Sequence, residues 1–220
     1  MAIQNIGATS DSLTIRPGYG ECTQRLADEM LSAAISEKSL SLVLFDIDWF
    51  GKLNASLGRH VGDRVIQILG DSLSSSLAQA GIVYRYGGDA FMVLFPACEK
   101  EQAFLRAEEA RTAFSVPWSI ESGGKNHTVE LTVSAGVAAS PDDGTKDVEL
   151  LRKCNEALYR AKLSGRNKVC LAREEKMVTK TTYYTQGQLE GLSRLAKREG
   201  LNEAVLLREA MDDLLRKYNS

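Results

Sequence analysis

The apolar positions of this chain change period several times, and each change marks an element. Between Gly20 and Glu37 the residues Leu26, Met30, Leu31, Ala34 and Ile35 recur at helical spacing, which predicts an amphipathic surface helix. Ser41–Asp48 is instead a short apolar run ending in acids, as expected of a buried strand that delivers carboxylates to a sheet edge. Helical spacing returns from Val61 to Gln79 through Val65, Ile66, Leu69, Leu73 and Leu77. Ile82–Tyr86 and Ala90–Phe95 read as two strands joined by Gly87-Gly88-Asp89, a hairpin signal. A helix over Glu99–Val116 follows, then a strand over Val129–Ala138 with a turn at Gly123-Gly124 before it, and a loop at Pro141–Gly144. A helix over Val148–Ser164, stopped by Gly165, and a short strand over Lys168–Ala172 complete the pattern. Helices alternating with strands predict an α/β or α+β domain over residues 1–172, with helices covering a central sheet; its polar first ten residues predict a flexible start.

After the charged break Arg173–Lys176 the grammar differs. Val178–Thr185 is strand-like. Gln188–Glu199 is amphipathic through Leu189, Leu192, Leu195 and Ala196 and ends at Gly200. Asn202 then caps a further helix carrying Leu206, Leu207, Ala210, Met211, Leu214 and Leu215. A β-α-α unit over residues 177–220 is too small to bury its own apolar stripe, so the pattern predicts a second domain completed by another copy of the chain.

Composition adds limits. A hydrophobic fraction of 44% and a charged fraction of 25% are ordinary for a soluble globular protein, and a net charge of −2 gives no global field for nucleic acid or anionic membranes. The apolar run Leu42–Phe45 falls far short of the roughly 20 residues of a membrane span, and the start of the chain lacks a basic-then-apolar leader, so a cytoplasmic protein without membrane contact is expected. Cys22, Cys98, Cys154 and Cys170 are scattered, far from His60 and His127, which predicts reduced thiols rather than a zinc site or disulfides.

The candidate chemistry gathers at one edge. Asp46 and Asp48 at a strand end, with the glycine-rich hairpin beside them, would bring carboxylates and bare backbone amides together. Magnesium favours a few such oxygens plus substrate phosphates, so a metal-bound nucleotide is the natural guest. Acids at strand ends are also commonly solvated loop residues, and this spacing alone leaves both readings open.

Four stretches decide between them. They are Asp11-Ser12-Leu13-Thr14; Asp46-Ile47-Asp48-Trp49-Phe50 followed by Asn54 and Gly62-Asp63; Tyr84–Phe91; and Ala157–Lys162 followed by Gly165-Arg166-Asn167. In this order they resemble the GGDEF domain of diguanylate cyclases, which join two GTP molecules into cyclic di-GMP. The resemblance implies a nucleotide-cyclase-like sheet and a magnesium ion bound with the nucleotide. It implies metal ligation by Asp46 and the backbone of Ile47, and guanine recognition by Asn54 and Asp63. It also implies close backbone approach at Phe50, Gly51, Gly87 and Gly88, phosphate contacts from Lys162 and Arg166, and catalysis at Asp89 and the residue after it.

That next residue is Ala90, where the family carries a glutamate that helps hold the metal and activate the 3′-hydroxyl; an alanine methyl can do neither. Gly51 stands where a phosphate-binding lysine is usual, with Lys52 next door; Ala55 replaces an aspartate and Arg59 a histidine. The R-x-x-D of the inhibitory product site falls on Ala78 and Gly81, so feedback inhibition is not expected. These departures suit a natural decay, though an engineered Ala90 stays open, and the expectation is a pocket that binds GTP or cyclic di-GMP without turning it over. The alternative is a diguanylate cyclase present in an inactive Glu-to-Ala form.

The tail resembles a ribbon-helix-helix domain, with Thr179, Lys180, Thr181, Thr182, Tyr183 and Tyr184 as its ribbon. Such domains are homodimers whose paired strands lie in the DNA major groove. Whether Thr179, Thr181 and Tyr183 or Lys180, Thr182 and Tyr184 would face DNA stays open, since a one-residue slip exchanges the faces. From Glu174 onward the tail holds eight basic and eight acidic residues, without the positive footprint usual for DNA binding, so a module that only dimerises is the other reading.

Overall fold

The computed structural model describes residues 19–77, 80–122, 125–173, 181–199 and 202–218. The chain divides after Glu174 into two compact units. The first contains α1 (Tyr19–Ser36), β1 (Leu40–Ile47), α2 (Phe50–Leu57), α3 (Arg59–Leu77), β2 (Ile82–Gly87) and β3 (Ala90–Pro96). It continues with α4 (Lys100–Phe114), β4 (Pro117–Ser122), β5 (Lys125–Glu130), β6 (Val133–Ser140), α5 (Asp147–Leu163) and β7 (Val169–Leu171). The main sheet has the order β2-β3-β1-β6-β7, with β1 antiparallel to both neighbours and β7 parallel to β6. β4 and β5 pair in a separate hairpin.

Apart from Ser41 and Asp46, β1 is apolar because both its faces are covered. Val43, Phe45 and Ile47 join a core with Val65, Leu69 and Leu73 of α3 and Ala103, Ala107 and Phe114 of α4. Leu40, Leu42 and Leu44 point the other way, into a second core with Leu26 and Met30 of α1 and Leu150, Cys154 and Leu158 of α5. Side chains alternate along a strand, so Asp46 shares the α5 side with Leu42 and Leu44. This parity places the first candidate metal ligand beneath α5.

Three elements depart from the periodicity. The expected strand Val129–Ala138 is two strands in different sheets, broken at Leu131-Thr132; Leu131 is buried, so the apolar run continues through the break and hides it. β4 gave no clear alternation. α2 carries no buried residue, so it has no full apolar stripe to read. The expected flexible start, the Gly123-Gly124 turn and the Gly200 stop lie outside the described residues.

The second unit contains α6 (Gln186–Glu199) and α7 (Glu203–Tyr218), with Leu206 N–H donating to the Asn202 carbonyl at 3.4 Å at the start of α7. Of the expected ribbon, residues 178–180 lie outside the described residues, and Thr181–Thr185 are not in a strand. A two-stranded ribbon takes one strand from each of two chains, and a single chain offers no edge to pair with. Among the described residues, no helix is long and apolar enough to cross a membrane.

Candidate functional site

Asp46 is the last even-numbered position of β1. The sheet register sets it opposite Ala90 of β3 on one side and Ser134 of β6 on the other. Directly opposed residues in an antiparallel pair point to the same face, so the side chain at position 90 stands beside Asp46. Above them runs α5, whose approach is set by Gly136: a Cβ there would come 2.2 Å from the Cys154 carbonyl oxygen and 2.4 Å from the Leu158 nitrogen. The bare glycine lets α5 settle onto the sheet, and its last turn brings Lys162 Nζ to 2.6 Å from Asp46 Oδ1. The approach lies off the hydrogen-bonding direction, so it holds as an ion pair, with the side chains 31% and 16% exposed. Burial pushes the Asp46 carboxyl above the usual aspartate range; Lys162 offsets part of the rise, and Asp89 and Asp48 add to it.

Asp48 does something different. Its oxygens accept hydrogen bonds from Thr132 Oγ1 at 2.8 Å, Ser134 Oγ at 2.7 Å and the Asn167 backbone N–H at 2.9 Å. The last of these ties β1 to the turn after α5, where Gly165, Arg166 and Asn167 all have positive φ (106°, 63° and 47°). Two consecutive non-glycine residues in that region are unfavourable by about 1–2 kcal/mol each. The turn persists because it is pinned on several sides. Arg111 and Ser115 donate to Asn167 Oδ1, and Glu108 accepts from the Val169 N–H. The sequence groups Asp48 with Asp46 as a strand-end carboxylate for a metal, but the fold consumes it instead, because a buried acid whose partners come from distant strands leaves no mark in local spacing.

The pinned turn presents Arg166. Its Cζ lies 3.7 Å from the centroid of the Trp49 ring, and Lys52 Nζ lies 4.0 Å from the same ring. Trp49 is 52% exposed and left-handed at φ 59°, immediately before α2. Two cations thus share one indole face-on, an arrangement that holds positive charge near the surface without a carboxylate. Lys52, one position from Gly51, belongs to this cluster.

The candidate guanine contacts sit on α2 and α3. Asn54 Oδ1 is buried and accepts no hydrogen bond among the described residues. It is lodged against Gly62, where a Cβ would come within 1.9 Å of it and 3.1 Å from Phe50 Cζ. Asp63 follows Gly62 and is half-buried. At the hairpin the turn narrows to Gly88-Asp89, because Gly87 pairs with Ala90. Gly88 has φ 53° at the first central position, where glycine is preferred, and Arg85 donates to its carbonyl through Nε and Nη2. At Gly81 a Cβ would lie 2.8 Å from the Phe95 ring and 2.9 Å from Val93, so an aspartate there has no room; Ala78 is outside the described residues.

The family resemblance brings a divalent cation bound with the nucleotide, and the donor set tests that fit. Asp46 is paired with an ammonium, Asp48 is saturated by three donors and position 90 has no oxygen, which leaves Asp89, whose charge is felt at Asp46, as the uncommitted carboxylate nearby. Among the described residues, no three His, Cys, Asp or Glu side chains stand together as a metal cluster. The residues present do not fit a metal held by the protein. A separate cleft of about 290 Å³, lined by Glu29, Ser32, Lys38 and Pro96, lies at the opposite end of β1 and contains none of the candidate residues.

A five-stranded, mostly antiparallel sheet with helices on both faces and a glycine hairpin beside a strand-end aspartate defines a nucleotide-cyclase-type domain. The chain belongs to the diguanylate cyclase GGDEF family, whose domain model matches residues 8–168, and a ribbon-helix-helix domain model matches residues 178–219. The response regulator PleD of Caulobacter vibrioides is 32% identical over 163 residues, which is 74% of this chain and 36% of PleD. The chain therefore spans little more than a third of that relative. Among solved structures, the GGDEF domain of DgcB from Caulobacter crescentus in complex with c-di-GMP has a TM-score of 0.69 and 26% identity, covering 77% of this chain and 99% of that one. A GGDEF-only form of PA1120 (TpbB or YfiN) from Pseudomonas aeruginosa reaches 0.70 and 28%, covering 75% and 95%.

Proposed function

We propose that residues 1–172 bind a guanine nucleotide, GTP or cyclic di-GMP, without turning it over, and that residues 177–220 carry this state to DNA as a homodimeric transcriptional regulator. The carrying observation is Asn54 Oδ1, a buried acceptor without a donor among the described residues, lodged in the space that a side chain at position 62 would fill. A buried acceptor left unmatched costs about 1–3 kcal/mol, so turning this side chain outward to the N–H edge of guanine is favoured. In this reading Asp63 shares the guanine, Lys162 and Arg166 take the phosphates, and the backbone at Phe50, Gly51, Gly87 and Gly88 lies along the ligand. Asp46 and the Ile47 carbonyl keep the family's metal position without its full donor set, and Ala90 beside Asp89 removes the chemistry. DNA contact falls to the ribbon, of which Thr181, Thr182, Tyr183 and Tyr184 are exposed. The protein acts in the cytoplasm, where its buried thiols stay reduced.

Titration calorimetry with GTP tests the first half: saturable binding is expected, and none up to millimolar concentration would sink it. Retention on duplex DNA, weakening steeply with salt, tests the second. The balanced charge of the tail favours one rival, a tail that only dimerises a former cyclase. In that case Ala90→Glu would restore GTP turnover and DNA retention would show no salt slope.

A further inference from the structure

The acids at the loaded end of β1 are committed to other groups. Asp48 gives its oxygens to Thr132, Ser134 and Asn167. Asp46 holds Lys162 at 2.6 Å. Position 90, the neighbour of Asp46 across the β1–β3 ladder, brings a methyl group. Magnesium requires near-octahedral oxygen coordination and enters such sites on one or two free carboxylates plus phosphates. To reach Asp46 it would have to expel an ammonium from a partly buried pair, and with no carboxylate at position 90 the second acid within reach is Asp89 of the hairpin, whose charge is felt at Asp46. A fixed ammonium offers phosphate oxygens the donors that a metal otherwise meets with its charge, and Arg166, nearby on its pinned turn, adds the net positive charge that the Lys162–Asp46 pair, neutral as a whole, lacks.

The geometry points to a nucleotide site that carries its own cation: Lys162, seated on Asp46, takes over the charge-neutralising role of the divalent metal, and binding is independent of magnesium. This rests on the reading of the domain as a guanine-nucleotide binder. It also distinguishes the site from one that has merely lost a catalytic group, because a metal-dependent pocket would follow the cellular magnesium level and this one does not.

The full chain is titrated with GTP by calorimetry in excess magnesium and again in EDTA. Dissociation constants within about threefold of each other are expected. Binding confined to the magnesium buffer, or weaker by about tenfold or more in EDTA, overturns this inference while leaving the nucleotide reading intact. Absence of binding in both buffers overturns both. Lys162→Met should lose GTP in both buffers, while Lys162→Arg, which keeps the charge, retains metal-free binding; Lys162→Met binding like wild type overturns the role of Lys162. Circular dichroism on each variant confirms that it is folded. Manganese without nucleotide, followed by electron paramagnetic resonance, gives an independent reading: free-ion signal is expected with the wild-type chain, and bound manganese at micromolar concentration counts against the proposal.

Discussion

At the scale of single residues, the site depends on acids with opposite duties. Asp46 seats the Lys162 ammonium at the candidate site, whereas Asp48 is consumed by the fold, and their positions two apart at the end of one strand conceal the difference. Asp48→Ala would leave two hydroxyls and the Asn167 N–H without their acceptor, inside a turn already held in left-handed geometry. Hydrogen bonds of this kind are worth about 1–2 kcal/mol each, and their loss is not additive, so urea unfolding should show a deficit of about 3 kcal/mol. GTP affinity should fall with it, because the turn that presents Arg166 loses its tie to β1. A variant with full stability would show that Thr132, Ser134 and Asn167 find other partners.

At the scale of elements, the placement of α5 is the most sensitive feature. At Gly136 the backbone of α5 rests directly against β6, so Gly136→Ala drives a methyl into the Cys154 carbonyl and the Leu158 nitrogen, neither of which can rotate away. Overpacking of this kind costs about 1–3 kcal/mol. Thermal melting should register that loss, and the Lys162–Asp46 pair should open as α5 lifts. Elements that bury a full apolar face in one of the two cores were legible in the sequence. β1, β3, α3 and α5 carry strong apolar runs or stripes, α4 a lighter one of Ala103, Ala107, Ala110 and Phe114, and the hairpin is marked by its glycines. Elements whose apolar signal is weak or misleading were not. α2 buries nothing completely, β4 belongs to a peripheral hairpin, and the break at Leu131-Thr132 falls inside an unbroken apolar run. The site residues were legible through resemblance, since Asp46 and Asn54 lie in one motif and Lys162 and Arg166 in another, distant in the chain. The Lys162–Asp46 pair, the Trp49 cation cluster and the Asp48 anchor were not, because each arises from contacts between those segments.

At the scale of the molecule, the buried thiols set an alkaline limit. Burial pushes Cys22, Cys98 and Cys154 above their ordinary value of 9.0, and Cys154, fully enclosed between α5 and the sheet, is raised furthest of the three. A folded-state value above the unfolded one means that the unfolded chain releases its protons first. The stability these groups contribute is fully present below about pH 9 and is lost as the pH rises through their folded values. Urea unfolding at pH 8 and pH 10.5 should show that decline, at up to about 1.4 kcal/mol per pH unit for each proton. Cys154→Ala should make the decline shallower by about one proton; an unchanged slope would count against the assignment. In the second unit, Leu189, Leu195, Leu207, Met211 and Leu214 remain exposed although Ala196 is buried, an apolar surface suited to a second copy. Met211→Glu is expected to shift sedimentation from dimer to monomer while the GGDEF unit keeps its melting transition.

The crowding at Gly81 reaches beyond the present protein. Placing a glutamate at position 90 is a single substitution beside the hairpin turn, but building an R-x-x-D site is not: an aspartate at 81 would push its Cβ against Phe95 and Val93, both core residues of the sheet. Any variant that turned GTP over is expected to do so without product inhibition at that site, its progress curve running on until GTP is exhausted.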